Sequence, residues 1–127
     1  MKKDIITTQS APVAIGPYSQ GMKIGEFLFV SGQLPIDPET GIMPDVTREQ
    51  AAQSLQNIKA ILAEAGLGME DIVKTTLFLK DMNHFAIVNE VYSNFFDGNY
   101  PARSTVQVAK LPKDADVEIE AIAICSK

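Results

Sequence analysis

The sequence predicts a two-layer α+β domain, with two helices packed on one face of a β-sheet. Three observations carry this reading. Segments with strand and helix character follow one another as strands, helix, strand, helix, strands, an order that suits two packed layers. The two helical segments each show one apolar stripe. Two of the strand segments, Ile72–Leu79 and Val117–Cys125, are apolar on both faces.

The first strands lie in Gly21–Ser31, which reads as a hairpin. Gly25-Glu26 supplies the Gly-X pair of a tight two-residue turn. The return strand ends at Ser31-Gly32, and Asp37-Pro38-Glu39-Thr40-Gly41 has the chemistry of a turn. Thr47 and Gln50 have the spacing of a capping box. Behind them Ala51, Leu55, Ile58, Leu62 and Ala65 form a 3.6-residue stripe. Gly66 closes that helix, because glycine takes a left-handed conformation without a Cβ clash. Ile72–Leu79 is the next strand. A second helix runs from about Met82 to Phe96, with Phe85, Val88, Tyr92 and Phe95 on one side. Pro101 pushes Tyr100 out of helix into extended backbone. Arg103–Val108 and Val117–Cys125 are the last two strands. Two helices cover only one face of such a sheet. The other face would be a larger apolar patch than a soluble monomer shows, and a homo-oligomer is the simplest way to bury it.

At 127 residues, 46% hydrophobic and 21% charged, the chain fits one soluble domain spanning 1–127. Its single cysteine, Cys125, has no internal disulfide partner, which favours a reducing, cytoplasmic setting. Met-Lys-Lys-Asp-Ile-Ile lacks the apolar run of a signal peptide. No apolar stretch has the length to span a bilayer, so no membrane is expected. A net charge of −5 with scattered lysines and arginines disfavours nucleic acid as a partner. A small anion needs only one or two local cations and is not excluded.

Chemistry concentrates near the end of the chain. Arg103 stands where a strand begins, after Tyr100-Pro101-Ala102. Its planar donors match the two oxygens of a small carboxylate. Glu118 lies inside an otherwise apolar strand, where partly dry surroundings suit a carboxylate that positions or activates water. Together they suggest a site for a small acid that reacts with water. Plainer readings stand beside these. Arg103 at a strand end can be a surface arginine, and Glu118 with Glu120 can face solvent or be satisfied by pairing with Arg103. Asn89, one turn from Phe85 and Tyr92, must find polar partners, in the core, at an interface or on a ligand. Tyr18, in the Gly16–Gln20 turn, can line a pocket or simply pack. Ser31 and Gly32 can offer hydrogen bonds to an anion or merely end a strand. His84 is the only histidine and is expected to be exposed. With one histidine and one distant cysteine, no metal site is expected. There is no phosphate-binding glycine loop and no dinucleotide fingerprint. Cys125 reads as a buried, inert thiol.

Pro101-Ala102-Arg103-Ser104 with Val106, Ala109 and Leu111, followed by Val117-Glu118-Ile119, resembles the signature of the Rid family (the RidA or YjgF group). Gly16-Pro17-Tyr18-Ser19-Gln20, Val30-Ser31-Gly32-Gln33 and Val88-Asn89-Glu90-Val91-Tyr92 extend the likeness over essentially the whole chain. The resemblance implies a chorismate-mutase-like fold with a mixed sheet, assembled as a homotrimer with sites between subunits. It implies hydrolysis of reactive enamines and imines, such as 2-aminoacrylate and 2-iminobutanoate, to 2-keto acids and ammonia, with no cofactor. It assigns Arg103 to the substrate carboxylate and Glu118 to the attacking water. Tyr18, Ser31, Gly32, Asn89 and Thr105 would line the pocket. Thr105 is a departure, since many relatives carry cysteine there. Two other roles exist on this scaffold: a non-catalytic regulatory protein that binds small carboxylates, and an RNA-cleaving translation inhibitor. The acidic balance and the lack of a histidine pair weigh against the second.

Overall fold

Alternation along the strands decides which face of the sheet meets the helices. The computed structural model describes residues 1–125. Its strands are β1 (Lys3–Ile6), β2 (Gly21–Ile24), β3 (Phe27–Gln33), β4 (Ile72–Leu79), β5 (Ala102–Gln107) and β6 (Val117–Ile124). The helices are α1 (Thr47–Glu64) and α2 (Phe85–Ser93). The six strands form one sheet in the order β1-β2-β3-β6-β4-β5. Every neighbouring pair is antiparallel except β4 and β5, so the sheet is mixed. On one face Leu28, Val30, Leu77, Leu79, Val117, Ile119, Ala121 and Ala123 are buried with Leu55, Ile58, Ile61 and Leu62 of α1 in a single apolar cluster. Val88, Val91 and Tyr92 of α2 join it. The predicted layering and both helical stripes are therefore present.

The opposite face carries no helix. Phe27 and Phe29 are 45% and 44% exposed there, and Val106 is 42% exposed. Ile122 and Ile124, which pair with Phe29 and Phe27, are half-buried beside them. The uncovered apolar face expected from the two-sided strands is real.

Local chemistry accounts for the β2–β3 turn and the end of α1. Gly25 has φ +60° between the paired residues Ile24 and Phe27, so the hairpin turn is the predicted Gly-Glu pair. Gly66 sits at φ +79° beyond α1. Its N–H donates to Ala63 O at 2.9 Å, and Leu67 N–H donates to Leu62 O at 2.9 Å, the paired bonds of a Schellman ending.

Three expectations are corrected, and one strand is added. Thr47 and Gln50 do not form a capping box. Thr47 already lies inside α1, behind Val46, and no side chain caps the helix. Thr47 Oγ1 instead donates to Asp116 Oδ2 at 2.8 Å, and Gln50 donates to Pro44 O and accepts from Asp116 N–H. The second helix is shorter than Met82–Phe96. Met82–His84 is a 3₁₀ turn whose Asn83 N–H is capped by Asp81, and the N–H groups of Asn94, Phe95 and Phe96 bond three residues back. Both ends thus tighten into 3₁₀ geometry. The return strand continues through Ser31-Gly32 to Gln33. Its register shifts there: Val30 faces Ala121 but Gln33 faces Ile119, so β3 carries one extra residue as a bulge. Finally, β1 has no counterpart in the sequence reading. Lys3 and Asp4 break the apolar pattern of this exposed edge strand, and only its pairing with β2 defines it.

Candidate active site

Strand register settles where Arg103 and Glu118 point. Thr75 of β4 lies beside Arg103 on one flank and Ala121 on the other, whereas Phe78 lies beside Glu118. Thr75 and Phe78 are an odd number of residues apart, so their side chains leave opposite faces. Arg103 therefore lies on the helix-covered face and Glu118 on the open one. The two do not pair within a chain, which removes the reading that Arg103 satisfies the Glu118 of its own chain.

Arg103 is half-buried beneath α2. Its Nη1 donates to Asn89 Oδ1 at 2.7 Å. Its guanidinium carbon stands 5.4 Å from the centroid of the Phe85 ring and 5.0 Å from that of Tyr92. Phe85, Asn89 and Tyr92 lie four and three residues apart, which puts them on one helix face. This answers the question left open for Asn89: its amide is satisfied by Arg103. The Tyr92 hydroxyl shares a 2.7 Å hydrogen bond with Thr75 Oγ1, and burial pushes the phenol pKa up. Asn89, Tyr92, Ser93, Tyr100, Pro101 and Arg103 line a recess of about 460 Å³. Thr105, two residues along β5, shares the face of Arg103, and its buried hydroxyl has no hydrogen-bond partner among the described residues.

Glu118 opens on a second cleft, of about 640 Å³, shared with Tyr18, Ser31, Gly32, Glu120 and the apolar Val13 and Ile15. The bulge of β3 brings Gly32 onto the carboxylate. A Cβ at Gly32 would collide with Glu118 Oε2, so only glycine leaves the carboxylate its position. Burial first, and the like charge of Glu120 second, hold the Glu118 carboxyl above its ordinary pKa. The Ser31 hydroxyl is already committed, donating to Ser19 O at 2.6 Å, so its oxygen faces further partners as an acceptor. Tyr18 is 52% exposed at the rim rather than packed. Two buried amides shape the walls. Gln20 donates to the carbonyls of Thr8, Ala11 and Pro12, and Asn57 to those of Leu34 and Ile36. The loop between β5 and β6 adds Lys113, which with Asp114 holds a positive φ that non-glycine residues seldom adopt.

The predicted residues thus form two groups. Tyr18, Ser31, Gly32 and Glu118 meet on the open face; Asn89, Arg103 and Thr105 meet on the other. Phe85 and Tyr92 as supports of Arg103, and Thr75 behind them, were not assigned from sequence. Their signal was present in the spacing of 85, 89 and 92. His84 is not exposed as expected: it is half-buried, with Nδ1 3.3 Å from Thr47 Oγ1. Cys125 is half-buried rather than fully buried, against the edge of the core. Among the described residues no three His, Cys, Asp or Glu side chains cluster as metal ligands would, and no helix is long and apolar enough to cross a membrane.

Known proteins share this architecture. The chain is 54% identical over 122 residues to the 2-iminobutanoate/2-iminopropanoate deaminase of Salmonella typhimurium, covering 94% of this chain and 95% of that one. A crystal structure of E. coli TdcF with bound serine superposes with a TM-score of 0.95 at 55% identity, covering 97% of this chain and 99% of the other. The structure of the E. coli YjgF gene product gives 0.94 at 52% identity, with 97% and 99% covered. These neighbours have the chorismate-mutase-like fold that the resemblance implied. The model of the endoribonuclease L-PSP family matches residues 8–125. With nearly the whole chain matched, at more than half identity to these relatives, this protein belongs to the endoribonuclease L-PSP family, the group of the RidA and YjgF proteins.

Proposed function

We propose that the chain hydrolyses reactive 2-imino acids and their enamine tautomers, including 2-aminoacrylate and 2-iminobutanoate, to 2-keto acids and ammonia. The observation that carries this reading is the pair of half-sites. An arginine is held with one nitrogen on Asn89 and no second hydrogen bond among the described residues, and a desolvated glutamate waits on an open cleft. Relatives at 54% identity carry the name 2-iminobutanoate/2-iminopropanoate deaminase, and serine, a small amino acid, is bound in TdcF.

Because the half-sites lie on opposite faces, Arg103 of one copy and Glu118 of another would form one site. A homotrimer built on the exposed face of Phe27, Phe29 and Val106 would bring them together. In that site Arg103 grips the substrate carboxylate, each charge-assisted hydrogen bond contributing about 1.5–3 kcal/mol. This fixes the direction of the imine carbon. Glu118 orients a water toward that carbon. The water oxygen adds to carbon, the imine nitrogen takes protons, and the carbinolamine collapses to the keto acid as ammonia leaves. Tyr18, Ser31, Gly32, Asn89 and Thr105 line the pocket. No metal or organic cofactor enters any of these steps. A small soluble substrate and a cytoplasmic setting fit the acidic surface and lone thiol better than nucleic acid or membrane partners do.

The test is a coupled assay. A dehydratase generates 2-aminoacrylate from serine, semicarbazide traps it, and diversion to pyruvate is measured. Wild type diverts it and Arg103→Ala does not, while Arg103→Ala keeps the oligomer. Turnover retained in Arg103→Ala rejects the carboxylate anchor. Keto-acid binding without imine turnover by wild type favours a regulatory carboxylate-binding protein instead.

A further inference from the structure

Arginine is a flexible anchor unless its surroundings fix the plane of its fork. In this chain that plane is set by more than one hydrogen bond. Asn89 holds Nη1 from one side. The Tyr92 ring lies 5.0 Å from the guanidinium carbon and the Phe85 ring 5.4 Å from it, within cation–π range of both. Tyr92 is 3% exposed and Thr75 1% exposed, and their hydroxyls bond to each other at 2.7 Å. Thr75 is also the register partner of Arg103 on the neighbouring strand. The ring of Tyr92 is therefore tied by its far end to the same strand pair that carries Arg103. The ring lies against the guanidinium while Asn89 occupies one nitrogen, and Arg103 lines the recess together with both.

We infer that Tyr92, locked by Thr75, is a positioning residue that presents the Arg103 fork to the substrate carboxylate. The inference rests on the proposed role of Arg103 as carboxylate anchor. Tyr92 touches no reacting atom; it acts through Arg103. Its removal should weaken carboxylate binding and spare the hydrolytic step, because Glu118 and its water belong to the other half-site.

The test uses the full-length oligomer and two readouts: the Kd of 2-ketobutyrate by titration calorimetry, and KM and kcat for imine hydrolysis. Tyr92→Leu, which removes the π face, should raise Kd and KM about tenfold with kcat within about threefold. Tyr92→Phe keeps the ring and loses only the tether, so it should bind about threefold more weakly than wild type and clearly more tightly than Tyr92→Leu, and a wild-type Kd overturns the tether. A purely structural loss would instead lower kcat and thermal stability together and would not be rescued by the ring. An unchanged Kd in folded Tyr92→Leu, or a Tyr92→Phe variant as weak as Tyr92→Leu, overturns the inference. Should Tyr92→Leu fail to fold, Thr75→Val frees the ring without removing it. Its Kd should rise about threefold, and an unchanged value overturns the tether. The Kd series decides the matter even if wild type hydrolyses no imine. Failure of the anchor itself shows separately, as Arg103→Ala binding the keto acid as well as wild type.

Discussion

Two features around Glu118 oppose its charge. Burial and Glu120 both raise its pKa, and Gly32 clears the space in which its carboxylate stands. As the proposed holder of the attacking water it works ionised, so activity should fall as pH drops through its pKa. Replacing Glu120 with glutamine removes a like charge that raises that pKa. The acid limb of kcat/KM in Glu120→Gln should therefore move to lower pH than in wild type. Parallel pH–rate profiles check this; a limb that stays in place or moves upward rejects the coupling. Glu118→Gln should lose about 10²–10⁴-fold in kcat, the usual contribution of a positioned acid or base.

At the scale of elements, the start of α1 is fastened by tertiary contacts instead of by a cap. Thr47 Oγ1 donates to Asp116, just before β6, and lies 3.3 Å from His84 Nδ1, just before α2. The Asp116 N–H returns a bond to Gln50. One hydroxyl thus joins the starts of both helices to the strand that carries Glu118. Thr47→Val keeps the shape and removes the hydroxyl, leaving half-buried polar groups short of a partner. It should destabilise the fold by about 1–2 kcal/mol. Thr47→Ser should restore most of that. Urea unfolding of the three proteins measures it, and a valine variant as stable as wild type would show that the contact contributes nothing.

The whole molecule adds a constraint that no single chain satisfies. If each site takes Arg103 from one copy and Glu118 from another, two inactive variants can repair each other. Unfolding and co-refolding Arg103→Ala with Glu118→Gln in equal amounts should restore about a quarter of wild-type activity, the share of sites that draw both intact residues in random mixing. Each variant refolded alone stays inactive. Absence of recovery in mixed oligomers, verified by mass, would place both residues of a site in one chain and contradict the two-faced arrangement.

Sequence by itself determined the layers, most of the elements and the identity of the chemistry-bearing residues. The stripe of Ala51, Leu55, Ile58 and Leu62, the Gly25 and Gly66 turns and the two-sided strands are local patterns, and local patterns survive folding when packing agrees with them. The family motifs named Arg103, Glu118, Tyr18, Ser31, Gly32, Asn89 and Thr105. Tertiary structure decided how those residues are grouped. The face on which Arg103 or Glu118 emerges depends on the register of β5, β4 and β6, and a shift of one residue would reverse it. The bulge that sets Gly32 on Glu118, the partners of Thr47 and His84, and the Tyr92–Thr75 tether behind Arg103 join residues distant in the chain. No periodicity within a segment records such contacts, because they exist only once the strands are paired and the helices laid across them.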